Sequence, residues 1–188
     1  MVVVVRLKSG AYLQQFPKCE EADVICMDPP PFKLQAEVVQ QLFGPPLPAS
    51  IAVASTSHYG IPRASQDALH LIHLLWDGTV IVMPRYHRVE VGEDARGELA
   101  FPAYPDEVWW LPCGTNAMKT EMAFRSPRNR FAEPTDEFDE KPLASHADFF
   151  IAGRSSIRPR YGIRISDLTR FLEERRPSGA DAFACRNE

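Results

Sequence analysis

Proline sets the first limit on what this chain can fold into: 17 of its 188 residues are proline, against an average usage of about 5%. A proline ring fixes φ and removes a backbone donor, so it is tolerated in turns, at helix starts and at sheet edges and interrupts regular structure elsewhere. Long, stiff loops between short elements are therefore expected. Apolar runs bounded by turn residues predict strands at Val2 to Leu7, Asp23 to Met27, Ser50 to Ser57, Thr79 to Met83, Glu107 to Leu111, Asp148 to Ala152 and Ala180 to Cys185. Ile51-Ala52-Val53-Ala54 and Val80-Ile81-Val82-Met83 are apolar at consecutive positions, a pattern that suits strands covered on both faces.

Three helices are expected between these strands. Over Phe32 to Phe43, Leu34, Val38 and Leu42 recur four apart and Gly44-Pro45-Pro46 supplies a stop, so one apolar stripe would face a sheet. Ser65 offers a cap for Gln66 to Trp76, with Ala68, Leu71, Ile72 and Leu75 as its apolar face and Asp77-Gly78 at its end. Ser166 caps a third, in which Leu168, Phe171 and Leu172 face inward and Glu173, Glu174, Arg175 and Arg176 face out, before Pro177 and Gly179. Strands alternating with helices give an α/β fold class: three layers, a mostly parallel sheet and helices on both faces. The length suits a single domain, 1–188. Two charged, proline-containing stretches, near 86–104 and 127–146, read as surface insertions, the second carrying Asp136, Glu137, Asp139 and Glu140.

Composition removes several function classes. Lysine and arginine total 21 against 25 aspartate and glutamate, a net charge of −4, so no positive field favours nucleic acid. No apolar run reaches the roughly 18 residues of a membrane helix. The four cysteines, Cys19, Cys26, Cys113 and Cys185, are scattered and form no Cys-x-x-Cys pair, so free thiols in a reducing compartment are expected. The valine run of Met1-Val2-Val3-Val4-Val5-Arg6 is too short for a signal-peptide core. The expected location is the cytoplasm, or outside the cell as an effector secreted without such a peptide. No phosphate loop, dinucleotide fingerprint or Gly-x-Ser-x-Gly elbow occurs, and no cofactor is expected.

In open α/β sheets ligands bind beyond the carboxyl ends of the strands, which singles out three reactive residues. His58 follows one predicted strand and precedes Tyr59-Gly60; Cys113 follows Trp109-Trp110-Leu111-Pro112 and precedes Gly114; Cys185 ends the last strand and precedes Arg186. A thiolate nucleophile needs a base or cation beside it, and His58 with either cysteine would meet that need. Histidine followed at two residues by glycine after one strand, and Cys-Gly after a later one, resembles the caspase-like cysteine peptidases. That resemblance implies His58 as base and Cys113 as nucleophile, with an oxyanion hole of backbone amides from Gly60 and the Cys113-Gly114 turn. Tyr59 between histidine and glycine, and Pro112 before the cysteine, depart from the family pattern.

A second resemblance covers the C-terminal part. Arg158-Pro159-Arg160-Tyr161-Gly162, then Ser166-Asp167-Leu168-Thr169-Arg170-Phe171-Leu172, then Phe183-Ala184-Cys185-Arg186, is similar to the Stv putative-adhesin domain at the ends of bacterial polymorphic or effector-like proteins. It implies a site at Cys185 and Arg186 with His58, because a guanidinium stabilises a thiolate.

Each of these residues also has a structural reading: buried cysteine is ordinary packing material, and a histidine after a strand can serve only to bond a loop carbonyl. His70 and His73 are spaced for one helix face, but nothing completes a metal set and none is expected. Trp109 and Trp110 would point to opposite sides of a strand. Arg154, Arg158, Arg160 and Arg164 form the most positive stretch; they would grip a phosphate or carboxylate, or pair with the acidic run at 136–140. Two functions compete: a thiol-dependent hydrolase acting on a protein or peptide substrate in an effector or toxin context, and a non-catalytic recognition module, adhesin-like or immunity-like, anchored by Trp, Tyr and Arg on its loops. Neither involves a nucleic acid or a membrane.

Overall fold

Four consecutive valines lie at the centre of the first half of the chain. In a computed structural model, Val2, Val3, Val4 and Val5 are all fully buried. Successive strand residues point to opposite faces, so their strand is covered on both sides. The structure describes residues 1–13, 31–56, 61, 68–84, 87–103, 109–125, 148–152 and 157–175. The chain divides into two compact units, Met1–Arg88 and Val89–Glu188.

In the first unit β1 (Val2–Tyr12) runs between β2 (Pro31–Phe43) and β4 (Leu69–His73), and β3 (Ser50–Thr56), β6 (Ile81–Val82) and β5 (Leu75–Trp76) extend the sheet beyond β2 in that order. Of the described ladders here, β1–β2, β1–β4, β2–β3 and β5–β6 are antiparallel and β3–β6 is parallel. Val3, Val5 and Leu7 share a core with Phe32, Leu34, Ala36, Ile51, Val53, Ile72, Leu74 and Met83.

The second unit orders β7 (Arg88–Glu93), β8 (Leu99–Pro102), β12 (Tyr161–Arg164) and β9 (Thr120–Glu121), all antiparallel, with β10 (Phe150–Ala152) and β11 (Ile157–Pro159) as a separate ribbon. One α-helix is present among the described residues, α1 (Ile165–Arg175), burying Ile165, Leu168 and Leu172. The turn between β7 and β8 is organised by Asp94, 1% exposed. Its Oδ1 accepts from the N–H groups of Arg96 (2.8 Å) and Glu98 (3.0 Å), and its Oδ2 from Arg164 Nε (2.9 Å). Burial alone would push this carboxyl up; the bonds from Glu98, Arg96 and Arg164 outweigh it and hold it below the usual range.

The architecture is therefore mostly β. It overturns the α/β expectation of a three-layer, mostly parallel, caspase-like sheet with helices on both faces. Two expected helices are strands. Over Pro31–Phe43 the four-residue recurrence of Leu34, Val38 and Leu42 also satisfies a period of two. Phe32, Leu34 and Ala36 are buried while Lys33 and Gln35 are exposed, so the alternation decides. Leu69–His73 is a strand buried on both faces, a case in which a short apolar run carries no periodicity to separate it from a helix. The stretch expected as an insertion near 86–104 holds β7 and β8, with Ala100 and Phe101 fully buried. Trp109 and Trp110 occupy a turn, the first exposed and the second buried. The expected strands at 23–27 and 180–185, and the insertion at 127–146, lie outside the described residues.

If β2 is a strand, Phe32→Ala and Leu34→Ala will each cost about 3 kcal/mol or more, while Lys33→Ala and Gln35→Ala change stability by about 0.5 kcal/mol or less. Urea unfolding of the four variants distinguishes this from a helical stripe, which would leave position 32 cheap. Asp94→Ala removes the acceptor of the turn and of Arg164 together and is expected to cost about 3 kcal/mol.

Candidate functional site

Much of the predicted catalytic set lies outside the described residues: His58, Gly60, Cys185, Arg186 and Arg154, and also Cys19 and Cys26. Cys113 and Gly114 are described. Gly114 has φ +88° and opens a 3-10 turn over Thr115–Met118, where Thr115 donates to the Pro112 carbonyl through both its N–H (3.0 Å) and its hydroxyl (2.6 Å). A Cβ on Gly114 would meet Arg175 Nη2 at 3.3 Å and Phe171 Cζ at 3.4 Å, so glycine lets this turn dock on the end of α1. Arg175 itself lies over the Phe171 ring, 4.3 Å from its centroid. Cys113 is disulfide-bonded. The expectation of free thiols is thus corrected at this residue, whose sulfur has no thiol proton to lose until the bond is reduced.

The arginines expected to form one basic patch have separate roles. Arg164 is held by Asp94 (2.9 Å) and Glu98 (3.2 Å), a structural ion pair of the β7–β8 turn. Arg158 is exposed on β11. Arg160 joins β11 to β12, and its Nε donates to Glu121 Oε1 at 3.2 Å. Its guanidinium lies 5.8 Å from the centroid of Tyr161.

Around Tyr161 the structure assembles a cluster that sequence spacing did not indicate. Lys119 Nζ stands 5.2 Å from the Phe149 centroid and 5.5 Å from that of Tyr161, within the range of a cation–π contact for both rings. The backbone fixes the members: Arg160 N–H donates to Phe149 O (2.8 Å), Met122 N–H to Arg160 O (3.1 Å), and Tyr161 pairs with Glu121 across β12 and β9. Gly162 permits the close packing beneath, since a Cβ there would fall 2.6 Å from Met122 Sδ and 2.9 Å from the Phe101 carbonyl. Arg160 is neutralised by Glu121, whereas Lys119 pairs with no carboxylate among the described residues. An ammonium held against two rings has fewer side-chain rotamers to lose on meeting a carboxylate or other anion. Lys119 and Glu121 lie tens of residues before Phe149 and Tyr161, and strand pairing brings the two groups together.

A second cluster lies in the first unit. His70 and His73, expected to be partly exposed on a helix beside its apolar stripe, are buried on opposite faces of β4. Among the described residues neither ring nitrogen of His70 finds a hydrogen-bond partner; burial, assisted by Arg88, pushes its pKa down to about 3. His73 Nδ1 lies 3.1 Å from His87 Nδ1. Burial, the Met1 ammonium and His87 lower His73 to about 4, and burial lowers His87. No group of three or more His, Cys, Asp or Glu among the described residues is placed to hold a metal, and none of their helices is long and apolar enough to cross a membrane. The hairpin of β5 and β6 exposes Leu75, Trp76 and Val80.

His70 fixes a sign for pH dependence. The unfolded imidazole takes a proton near pH 6.5 and the folded one only near pH 3. Between those values unfolding binds a proton, and stability falls as pH falls. His70→Leu, which removes two buried polar atoms that find no partner among the described residues, is expected to raise stability at pH 7 and to flatten this decline, checked by urea midpoints from pH 7.5 to 4. No protein-family model, no curated protein and no solved structure matches the chain.

Proposed function

We propose that the chain is a non-catalytic recognition module, adhesin-like in role, that engages an acidic partner protein through the surface of Lys119, Phe149, Arg160 and Tyr161. The observation that carries the reading is the Lys119 ammonium, held over two rings and left without a carboxylate among the described residues. Cation and ring then meet a partner together, the combination that concentrates binding energy at interfaces. Arg158, exposed nearby in sequence on β11, adds charge to the approach.

The disulfide at Cys113 supports the same reading in two ways. It withdraws one of the two candidate nucleophiles of a thiol hydrolase, and such bonds persist in oxidising surroundings. That favours a secreted location for the module over the reducing cytoplasm.

The test uses a fluorescein-labelled peptide rich in glutamate and tyrosine, followed by polarisation. Lys119→Ala combined with Arg160→Ala is expected to weaken binding at least tenfold, and raising salt to weaken the wild type similarly. Iodoacetamide treatment should leave affinity unchanged within twofold. Equal binding by the double variant overturns the reading. Turnover of a peptide or ester panel that alkylation abolishes overturns it in favour of the thiol hydrolase.

A further inference from the structure

We propose that the acidic partner of the Lys119 surface is a second copy of this chain, which presents the tip of its β5–β6 hairpin, Trp76 and Asp77, to Lys119, Phe149 and Tyr161. The proposal rests on the reading of that surface as a site for acidic protein ligands, and it names the ligand. All six residues from Leu75 to Val80 are exposed. Three of them, Leu75, Trp76 and Val80, carry large apolar side chains, and Trp76 is 62% exposed. An indole so open to water is left uncovered by its own chain, and apolar side chains gathered in one short turn mark a protein contact.

The tip is rigid before it meets anything. Asp77 Oδ1 accepts from the Thr79 N–H (2.8 Å), the Thr79 hydroxyl (2.9 Å) and the Val80 N–H (2.8 Å), and Asp77 N–H donates to the Val80 carbonyl at 3.3 Å. Gly78, at φ +102°, supplies the left-handed residue of the turn. Behind the tip, Trp76 pairs with Ile81, whose side chain packs against the core. The bonds to Asp77 use one carboxylate oxygen; Oδ2 meets no donor among the described residues. The same bonds, from Val80 first and then Thr79, hold the carboxyl below its usual range, so it stays ionised at neutral pH. The hairpin therefore offers a fixed carboxylate oxygen beside an exposed aromatic ring. The Lys119 surface offers the complement, a cation without a carboxylate among the described residues, held against two rings. Opposite charges meet and the rings adjoin, which gives both attraction and register. The two surfaces are unlike, so every copy carries one of each and the contact repeats from copy to copy instead of ending in a pair of identical faces. A six-residue tip makes a small, transient interface.

Sedimentation velocity on the full chain tests it across about 1–500 µM, the range in which a weak contact becomes populated. The wild type is expected to pass from monomer to dimer or larger as concentration rises, and to return to monomer as salt is raised. Trp76→Ala with Asp77→Asn removes the ring and the charge of the hairpin while leaving an oxygen to accept the bonds of the turn. Lys119→Ala with Arg160→Ala removes the cations of the other surface. Each double variant alone is expected to stay monomeric, and an equal mixture of the two to form a dimer and nothing larger, because one keeps only the Lys119 surface and the other only the hairpin. A wild type that stays monomeric throughout, a double variant that associates as strongly as the wild type, or a mixture that stays monomeric overturns the proposal. The labelled glutamate–tyrosine peptide separates this from the reading beneath it. The hairpin variant should bind that peptide within twofold of the wild type, which also shows that it is folded. A wild type that binds the peptide without self-associating overturns the second copy as partner and leaves the Lys119 surface standing, whereas one that does neither overturns both.

Discussion

The burial of the first half of β1, Val2 to Val5, on both faces is the constraint on which the first unit depends. Val2 to Val5 have no solvent-facing side, so β1 must be an interior strand with a partner along each edge. β2 and β4 are those partners, and their pairing to β1 sets the register of everything outward. Phe32, Leu34 and Ala36 enter the core because their strand follows β1. Ile51 and Val53 follow in turn because β3 pairs with β2 over Pro31–Glu37. Each fully buried valine contributes about 1.5–3 kcal/mol relative to exposure, and a one-residue slip would exchange the two faces of every neighbouring strand.

How far this was legible depends on what each residue pattern can encode. The valine run, Ser50–Thr56 and α1 were readable. A run of β-branched residues has one favourable backbone, and α1 carries its inner and outer faces in three turns. The region Phe32–Phe43 misled because residues four apart share a face in both a helix and a strand, and Phe32, which breaks the tie, stands at its margin. Leu69–His73 misled because a strand covered on both faces has no polar face to mark it. Once these became strands, the rhythm that implied a parallel α/β sheet disappeared.

The candidate sites were less legible because they are made by pairing rather than by spacing. Nothing local to Lys119 announces Phe149 or Tyr161; the β9–β12 ladder creates their proximity. Arg160 was visible as part of a basic stretch, but its neighbour Arg164 looks the same in sequence and belongs to the Asp94 turn. His73 was noted for its spacing from His70, whereas its operative neighbour is His87, across a chain reversal. Cysteine spacing does not reveal the disulfide of Cys113, because a bond between residues far apart in sequence leaves no local pattern.

The order in which β1 and its partners are made has a further meaning. Met1 bonds to Leu74 across 73 residues, so on a ribosome adding roughly 5–20 residues per second the valine strand waits roughly 4–15 s for β4. Through that interval one edge of an uninterrupted apolar β-former has no native neighbour. β2 is synthesised sooner and covers the other edge, which makes the β1–β2 hairpin the species most exposed to mispairing with another chain. Expression yield for this protein should therefore depend more on translation speed and chaperone supply over this interval than on the stability of the finished fold.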